Sequence, residues 1–78
     1  MQNEIHPAPG EFSAAQLADD PILRYFHYSH LPAFLQEASK PFCDLAASLV
    51  ASLPRNAERS SAQRKLLEAK DCAVRANV

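Results

Sequence analysis

Glycine is nearly absent from this sequence, and several catalytic patterns are absent with it. The chain has 78 residues and one glycine, so it has no glycine-rich loop that cradles a phosphate. It also lacks the EF-hand spacing and any Ser, His and Asp pattern of a hydrolase, and no catalytic base stands near Cys43 in the sequence. We therefore expect a protein that is not an enzyme and has neither catalytic residues nor a cofactor.

Cysteine patterns and long apolar runs are missing as well. Neither Cys43 nor Cys72 belongs to a CxxC or CxxH motif, which favours reduced thiols over a disulfide scaffold, and His27, His30 and Cys43 match no zinc spacing. No stretch approaches the roughly 20 apolar residues of a membrane span. The N-terminus lacks the basic-then-apolar order of a signal peptide. These features predict a soluble, intracellular chain without a metal site.

Charge is divided unevenly along the chain, although the net charge is only −1. Residues 1–54 hold two basic and six acidic side chains, whereas residues 55–78 hold six basic and three acidic ones. A basic second half suits an acidic partner, a nucleotide phosphate or the acidic half of a neighbouring subunit. A helix-turn-helix on double-stranded DNA is not expected, because the whole chain is slightly acidic.

The first residues differ from the rest of the chain in composition. Pro7, Pro9 and the glycine interrupt residues 1–20, which hold few large apolar side chains, so we expect an N-terminal arm with one short helical turn at Ser13–Ala18. Residues 21–78 are the predicted helical domain. Its first segment, PILRYF, is compatible with a short helical turn or with an extended chain.

A first long helix is predicted after the aromatic run Tyr25, Phe26 and Tyr28, with its entry at Ser29 or His30. Apolar residues then step by three and four, at Leu35, Ala38, Phe42, Leu45, Leu49 and Leu53. The phase continues across Pro41, which favours one proline-kinked helix whose Glu37 carbonyl loses its usual donor. The alternative is a tight joint at Ser39-Lys40-Pro41, since a residue before proline avoids the helical conformation.

A second long helix is predicted from Ala57 to Ala76, with Asn56 as its N-cap. Its apolar stripe is rich in small side chains, at Ala62, Leu66, Ala69, Ala73 and Ala76. The short connection predicts an antiparallel helical hairpin, so the fold class is all-α. Because two helices cannot enclose a core from all sides, we expect a homo-oligomer.

The chain also carries groups that suit a nucleotide. Aromatic rings stack on bases and basic side chains meet phosphates; the candidates are Tyr25, Phe26, Tyr28, Lys40, Arg59, Lys65, Lys70 and Arg75. The alternative is structural, because aromatics before a helix commonly pack as a staple and charges along a helix commonly form its solvated face.

Two stretches together resemble a known family. They are YSHLPAFLQEASKPFCDLA and the motif E-R-x(5)-K-L-L-E-A-K-D-x-A-V-R-A, which span about residues 25–76. They are similar to the small hairpin-domain proteins of bacteriophages and prophages, a group that includes the anti-CBASS cyclic-oligonucleotide sponges and is related to the hairpin part of anti-Thoeris sponges. The resemblance implies a helical hairpin assembled as a homohexamer that holds cyclic dinucleotides, and in some members cyclic trinucleotides, without cleaving them.

The resemblance also implies site residues and a setting. The tyrosine that stacks on a base matches Tyr28, and the nearest match to a phosphate-contacting lysine is Lys40, about one helical turn closer than in the family. Arg59 and Arg75 stand in the motif elements that carry arginine contacts, and Ser29 adds hydrogen bonds at the helix entry. Such a protein would starve CBASS-type immune effectors of their signal in the cytoplasm of an infected bacterial host. The alternative is a non-enzymatic structural protein whose helical oligomer binds another protein.

Overall fold

The computed structural model describes residues 12–78 of the chain. This part forms four helices and no strand: α1 (Ala14–Asp19), a 3-10 helix (Pro21–Phe26), α2 (Ala33–Ser52) and α3 (Ala57–Arg75). The predicted all-α class is therefore confirmed for the described residues. None of these four helices is long and apolar enough to cross a membrane.

The predicted N-terminal arm is described only from Phe12 onward, and residues 1–11 lie outside the described part. The hydroxyl of Ser13 accepts a hydrogen bond from the N–H of Gln16 at 3.1 Å, and the Gln16 side chain accepts one from the N–H of Ser13 at 2.9 Å. This reciprocal capping box starts α1 and confirms the short helical turn. Phe12 is only 9% exposed and belongs to the hydrophobic core, so residues 12–20 pack against the helical domain.

The 3-10 helix resolves the open question about the segment after Asp20 in favour of a helical turn. Pro21 occupies its first turn, where a missing N–H costs no hydrogen bond. Side chains three residues apart lie above one another in this helix type, and Leu23 and Phe26 are both fully buried. Arg24 and Tyr25 consequently face outward.

Helix α2 begins at Ala33, later than the predicted entry at Ser29 or His30, and this part of the prediction is wrong. Ser29 and His30 form a turn that is closed by a 3.0 Å hydrogen bond from the N–H of Leu31 to the carbonyl of Tyr28. The Gln36 side chain reaches back and donates to the Leu31 carbonyl at 2.8 Å. This bond holds the turn against the first turn of α2. The later start agrees with Pro32 as the N-cap, because the residue before a proline avoids the helical conformation.

The continuity of α2 through Pro41 is confirmed, because one helix runs from Ala33 to Ser52 with the proline inside it. Pro41 has no N–H to donate to the carbonyl of Glu37, so the helix lacks one of its own hydrogen bonds there. Both residues are exposed, which lets water meet the released carbonyl. A solvent-facing position is where an interior proline disturbs a helix least.

The buried face of α2 differs from the predicted apolar stripe. Ser39, Cys43 and Ala46 are the buried residues of the helix, whereas Leu45 is 48% exposed. Leu23 and Phe26 are fully buried in the same core, and small side chains on α2 let such bulky groups approach the helix backbone closely. The stripe prediction is therefore confirmed only in part: Phe42 packs against the core, but the bulk of the core comes from the preceding segment and not from α2 itself.

Helix α3 begins as predicted, with the Asn56 side chain accepting a hydrogen bond from the N–H of Arg59 at 2.9 Å, and it ends at Arg75. Its buried residues are Arg59 and Gln63, while Ala69 and Ala76 of the predicted stripe are exposed. This is a second correction. Two long polar side chains can be buried because a carboxylate from the N-terminal segment meets both of them, as described below.

Helices α1, α2 and α3 pack around the 3-10 helix. Helices α2 and α3 contact each other and are joined by residues 53–56, while the 3-10 helix contacts α1, α2 and α3. Because the 3-10 helix inserts two fully buried side chains between the longer helices, its outward side chains lie beside the C-terminal half of α3. This placement creates the cavity that is the candidate site.

Candidate functional site

A cavity of about 450 Å³ lies between the 3-10 helix, the turn before α2 and the second half of α3. We call it the basic–aromatic cavity. It is lined by Arg24, Tyr25, His27, His30, Leu31, Leu67, Lys70, Asp71, Val74 and Arg75. The lining combines three permanent cations, one carboxylate, one phenol ring and two imidazole rings, with an apolar floor.

Local helix geometry explains how these side chains meet. Leu67, Lys70 and Val74 are three and four residues apart and therefore share one face of α3. Arg24 and Tyr25 occupy the outward positions of the 3-10 helix, because Leu23 and Phe26 fill its inward positions. The cavity thus lies between a 3-10 helix and an α-helix, each of which turns one set of side chains towards the other.

The cations of the cavity are only partly neutralised. Lys70 Nζ lies 3.3 Å from a carboxylate oxygen of Asp71. Arg24 Nε donates to the Pro21 carbonyl at 3.2 Å, and one Arg75 Nη donates to Cys72 Sγ at 3.4 Å. Among residues 12–78, neither of these two arginines has a carboxylate oxygen within 4.0 Å. The cavity therefore carries an excess of two positive charges over its single carboxylate, before any imidazole is protonated.

The rings of the cavity differ in how tightly the fold holds them. Tyr25 is 58% exposed, so one face of its ring is open to a ligand. His27 is stacked on Phe12 with ring centroids 6.0 Å apart and an interplanar angle of 16°. Its Nε2 is buried and has no hydrogen-bond partner within the described chain.

Three of the predicted site residues lie elsewhere. Tyr28 is only 4% exposed and belongs to the hydrophobic core. Ser29 is exposed, and its carbonyl accepts a 3.4 Å hydrogen bond from the side chain of Gln36. Lys40 is exposed on α2 and donates to Asp44 at 2.7 Å, and this hydrogen bond raises the pKa of the lysine. Tyr28 lies close enough to Lys40 to interact with it electrostatically, so these two predicted residues are neighbours.

The two predicted arginines are separated by most of α3. Arg75 lines the basic–aromatic cavity, whereas Arg59 is only 7% exposed near the start of the helix. Sixteen residues of α-helix place them about 24 Å apart. Within one chain the two arginines therefore cannot contact the same small ligand.

The buried guanidinium of Arg59 is committed to contacts within the fold. One Nη donates to the carboxylate of Asp20, and the other donates to the Leu53 carbonyl at 3.1 Å. Gln63 Nε2 donates to the second oxygen of the same carboxylate at 3.3 Å. The Asp20 side chain is only 13% exposed, so this is a largely desolvated ion pair that ties the N-terminal segment to α3.

The remaining nucleophile and metal candidates have plain structural surroundings. Burial raises the pKa of the Cys43 thiol to about 11, so the thiol is protonated at neutral pH. Within residues 12–78, no three side chains of His, Cys, Asp or Glu lie close enough together to hold a metal ion. His27 and His30 line the basic–aromatic cavity instead.

Sequence reasoning named Tyr25, Lys70 and Arg75 among the residues suited to a nucleotide, and the structure brings these three together. It missed Arg24 and considered His27 only as a metal ligand. The signal that could have found Arg24 is the spacing of Leu23 and Phe26, because a three-residue apolar step predicts a 3-10 turn with the intervening side chains outward.

Comparison of the chain with protein-family models, with curated protein sequences and with solved structures gives no match. The fold and the cavity therefore define only a class, a small all-helical protein with a basic–aromatic cavity, and any function has to be argued from the residues of this chain.

Proposed function

We propose that this protein binds cyclic dinucleotides, and cyclic trinucleotides as further ligands, and holds them without cleavage. In the cell this binding would withdraw an immune second messenger. Such a protein is a phage-encoded sponge that blocks CBASS-type signalling in the cytoplasm of an infected bacterium. The proposal joins the sequence resemblance to one observation, the basic–aromatic cavity.

The charge of the cavity carries the proposal. Arg24, Lys70 and Arg75 converge on a volume of about 450 Å³ beside a single carboxylate. A cyclic nucleotide has one negative charge on each phosphodiester and no terminal phosphate, so a few convergent cations suffice to neutralise it. Arginine in addition presents a planar fork that bonds two phosphate oxygens at once.

The rings give the base a place to stack. Tyr25 is an accessible ring of the cavity, at 58% exposure, and a base–aromatic stack contributes about 1–3 kcal/mol. The half-open ring replaces the predicted role of Tyr28, whose ring is enclosed by the core of its own chain. Binding roles for Ser29 and Lys40 remain predictions that concern a different face of the molecule.

The proposal includes that the bound ligand is not cleaved. Among the described residues, the lining holds no serine, threonine or cysteine beside its two imidazole rings, and its carboxylate, Asp71, is paired with Lys70. A bound phosphodiester would meet donors and cations on the cavity wall but no positioned nucleophile. We therefore propose sequestration, with release of intact ligand when the protein is denatured.

A homo-oligomer of helical hairpins, a hexamer by resemblance, completes the proposal. Phe34 and Leu45 are 55% and 48% exposed, and they lie on one face of α2 because eleven residues make just over three full helical turns. Apolar side chains on one face of a small domain are suited to contact with other copies.

Binding is tested with the pure protein and a panel of cyclic di- and trinucleotides. At a hundredfold excess over Kd, a ligand that binds only the folded state adds about 2.7 kcal/mol to the free energy of unfolding. We expect at least one ligand to raise the melting temperature and to be recovered intact after denaturation. Absence of a shift across the whole panel would overturn the proposal, and recovery of a linear product would contradict sequestration.

Variants then locate the site. Arg75→Gln and Lys70→Gln each remove one cation from the cavity and should weaken binding about tenfold or more. Lys65→Gln removes the same charge from an exposed position of α3 outside the cavity lining, and it should leave affinity nearly unchanged. Equal weakening by all three variants would mean that only the overall charge of the helix matters.

A second candidate function is favoured by the same exposed apolar side chains. A structural protein whose helical oligomer binds another protein would also use Phe34 and Leu45. Leu45→Ser helps to distinguish the two candidate functions. Loss of assembly with retained nucleotide binding would place these residues between subunits of a nucleotide-binding oligomer. A protein with no nucleotide affinity and an intact oligomer would favour the interaction protein.

A further inference from the structure

A second cavity, of about 460 Å³, lies on the opposite end of α3 from the basic–aromatic cavity. We call it the arginine cavity. Arg55, Arg59 and Arg64 line it, together with Ser60 from the first turns of α3 and the apolar pair Pro21 and Ile22. It shares no lining residue with the basic–aromatic cavity.

The two acidic residues in its lining are Asp19 and Asp20, and the second is already satisfied. One oxygen of the Asp20 carboxylate accepts from Arg59 and lies 3.8 Å from Arg55, while the other accepts from Gln63. Arg55 also donates to the main-chain carbonyl of Asp19 at 3.2 Å. The carboxylate of Asp20 therefore has little capacity left for another cation.

Several donors of the cavity remain uncommitted. Arg64 and the Ser60 hydroxyl are exposed, and within the described chain neither has a hydrogen-bond partner. Both Nη groups of Arg59 are committed to Asp20 and Leu53, but its Nε is buried and has no acceptor within the described chain. The cavity also adjoins the N-terminal turn of the 19-residue helix α3, whose dipole favours an anion. The unpartnered Nε of Arg59, the exposed guanidinium of Arg64 and the helix N-terminus are all complementary to an anion.

We propose that the arginine cavity is a binding site for a terminal phosphate, the dianionic group of a phosphate monoester or of free phosphate. A terminal phosphate presents three oxygens, which matches separate donors on Arg55, Arg64 and Ser60 better than a singly charged diester does. The apolar wall of Pro21 and Ile22 leaves room for the group to which the phosphate is attached.

Inorganic phosphate is the probe, titrated at constant ionic strength against the full-length protein and followed by amide chemical shifts. We expect saturable shifts that are concentrated on residues 55–64, with chloride giving none. Arg64→Gln should weaken phosphate binding about tenfold or more, because it removes a charge-assisted donor. Asp19→Asn removes a carboxylate from the lining and should tighten binding severalfold.

Lys65→Gln is the matched control, since it removes one charge next to Arg64 but is turned about 100° around the helix. Equal weakening by Arg64→Gln and Lys65→Gln, or shifts scattered over the surface, would overturn the site. Comparing inorganic phosphate with a sugar phosphate monoester then tells whether the attached group contributes affinity. Arg75 lines only the basic–aromatic cavity, so Arg75→Gln must leave phosphate binding intact. The outcome of this test is therefore independent of the cyclic-nucleotide proposal.

Discussion

Replacing Arg59 by alanine should destabilise the fold strongly, because it leaves a desolvated carboxylate with poor partners. Arg59 is 7% exposed and the side chain of its partner Asp20 is 13% exposed. After the substitution Asp20 keeps the hydrogen bond from Gln63 and the 3.8 Å contact with Arg55, and the Leu53 carbonyl loses its donor. Breaking one side of a buried pair costs about 3–5 kcal/mol, and the retained contacts place our expectation near 3 kcal/mol.

The assay is urea unfolding followed by circular dichroism, with Arg55→Ala as the control. Arg55 contacts the same carboxylate at 3.8 Å, but its side chain is 62% exposed, so its removal should cost less than about 1 kcal/mol. Asp20→Asn and the double variant complete a cycle that measures the coupling between the two buried groups. A loss for Arg59→Ala no larger than that for Arg55→Ala would refute the reasoning. It would also return Arg59 to the ligand-contacting role that the sequence resemblance implies.

Two further predictions concern a helix cap and a buried thiol. Asn56→Ala should lower the free energy of unfolding by about 1 kcal/mol, because it removes the acceptor for the N–H of Arg59. Asn56→Ser keeps an acceptor and should be nearly neutral. Equal losses for both variants in urea unfolding would contradict the capping role. Burial raises the pKa of Cys43 to about 11, above its ordinary value of about 8.5, so the unfolded chain loses the thiol proton first. The stabilisation that this provides is complete below about pH 8.5 and is lost as the pH rises to about 11. Unfolding free energies measured across that window should fall more steeply for the wild type than for Cys43→Ala, and parallel curves would refute the assignment.

Element boundaries were the part of the fold that local chemistry could predict. Ser13 and Asn56 carry side-chain acceptors that close a helix start within three residues, so their sequence neighbours suffice to place α1 and α3. The uninterrupted apolar phase likewise predicted that α2 passes through Pro41. The start of α2 was predicted too early, although a local signal was present: Leu31 precedes Pro32, and the residue before a proline avoids the helical conformation.

Burial was less predictable, since it depends on partners distant in sequence. Arg59 looks like a solvated charge on α3, and only Asp20, 39 residues earlier, makes its burial possible. Ala46 looks like a weak core position, but it is fully buried in the same cluster as Phe26. A helical pattern indicates which residues share a face, but the neighbouring segment decides which face is covered.

The candidate site was predictable to a similar extent. Aromatic and basic residues were recognised as suited to a nucleotide, and Tyr25, Lys70 and Arg75 do meet. Which aromatic ring stays accessible could not be read from the sequence, because Tyr25 and Tyr28 are close neighbours in one run. The 3-10 helix ends between them, so that the first faces outward and the second enters the core.

The most direct test of the account is calorimetric titration of a cyclic dinucleotide into the wild type, Arg75→Gln and Lys65→Gln. The account predicts binding to the wild type, nearly the same affinity for Lys65→Gln and a loss of about tenfold or more for Arg75→Gln. It also predicts that the ligand is recovered intact. Wild-type binding that Arg75→Gln leaves unchanged, or no binding of any cyclic nucleotide, would contradict the central claim that the basic–aromatic cavity holds this ligand.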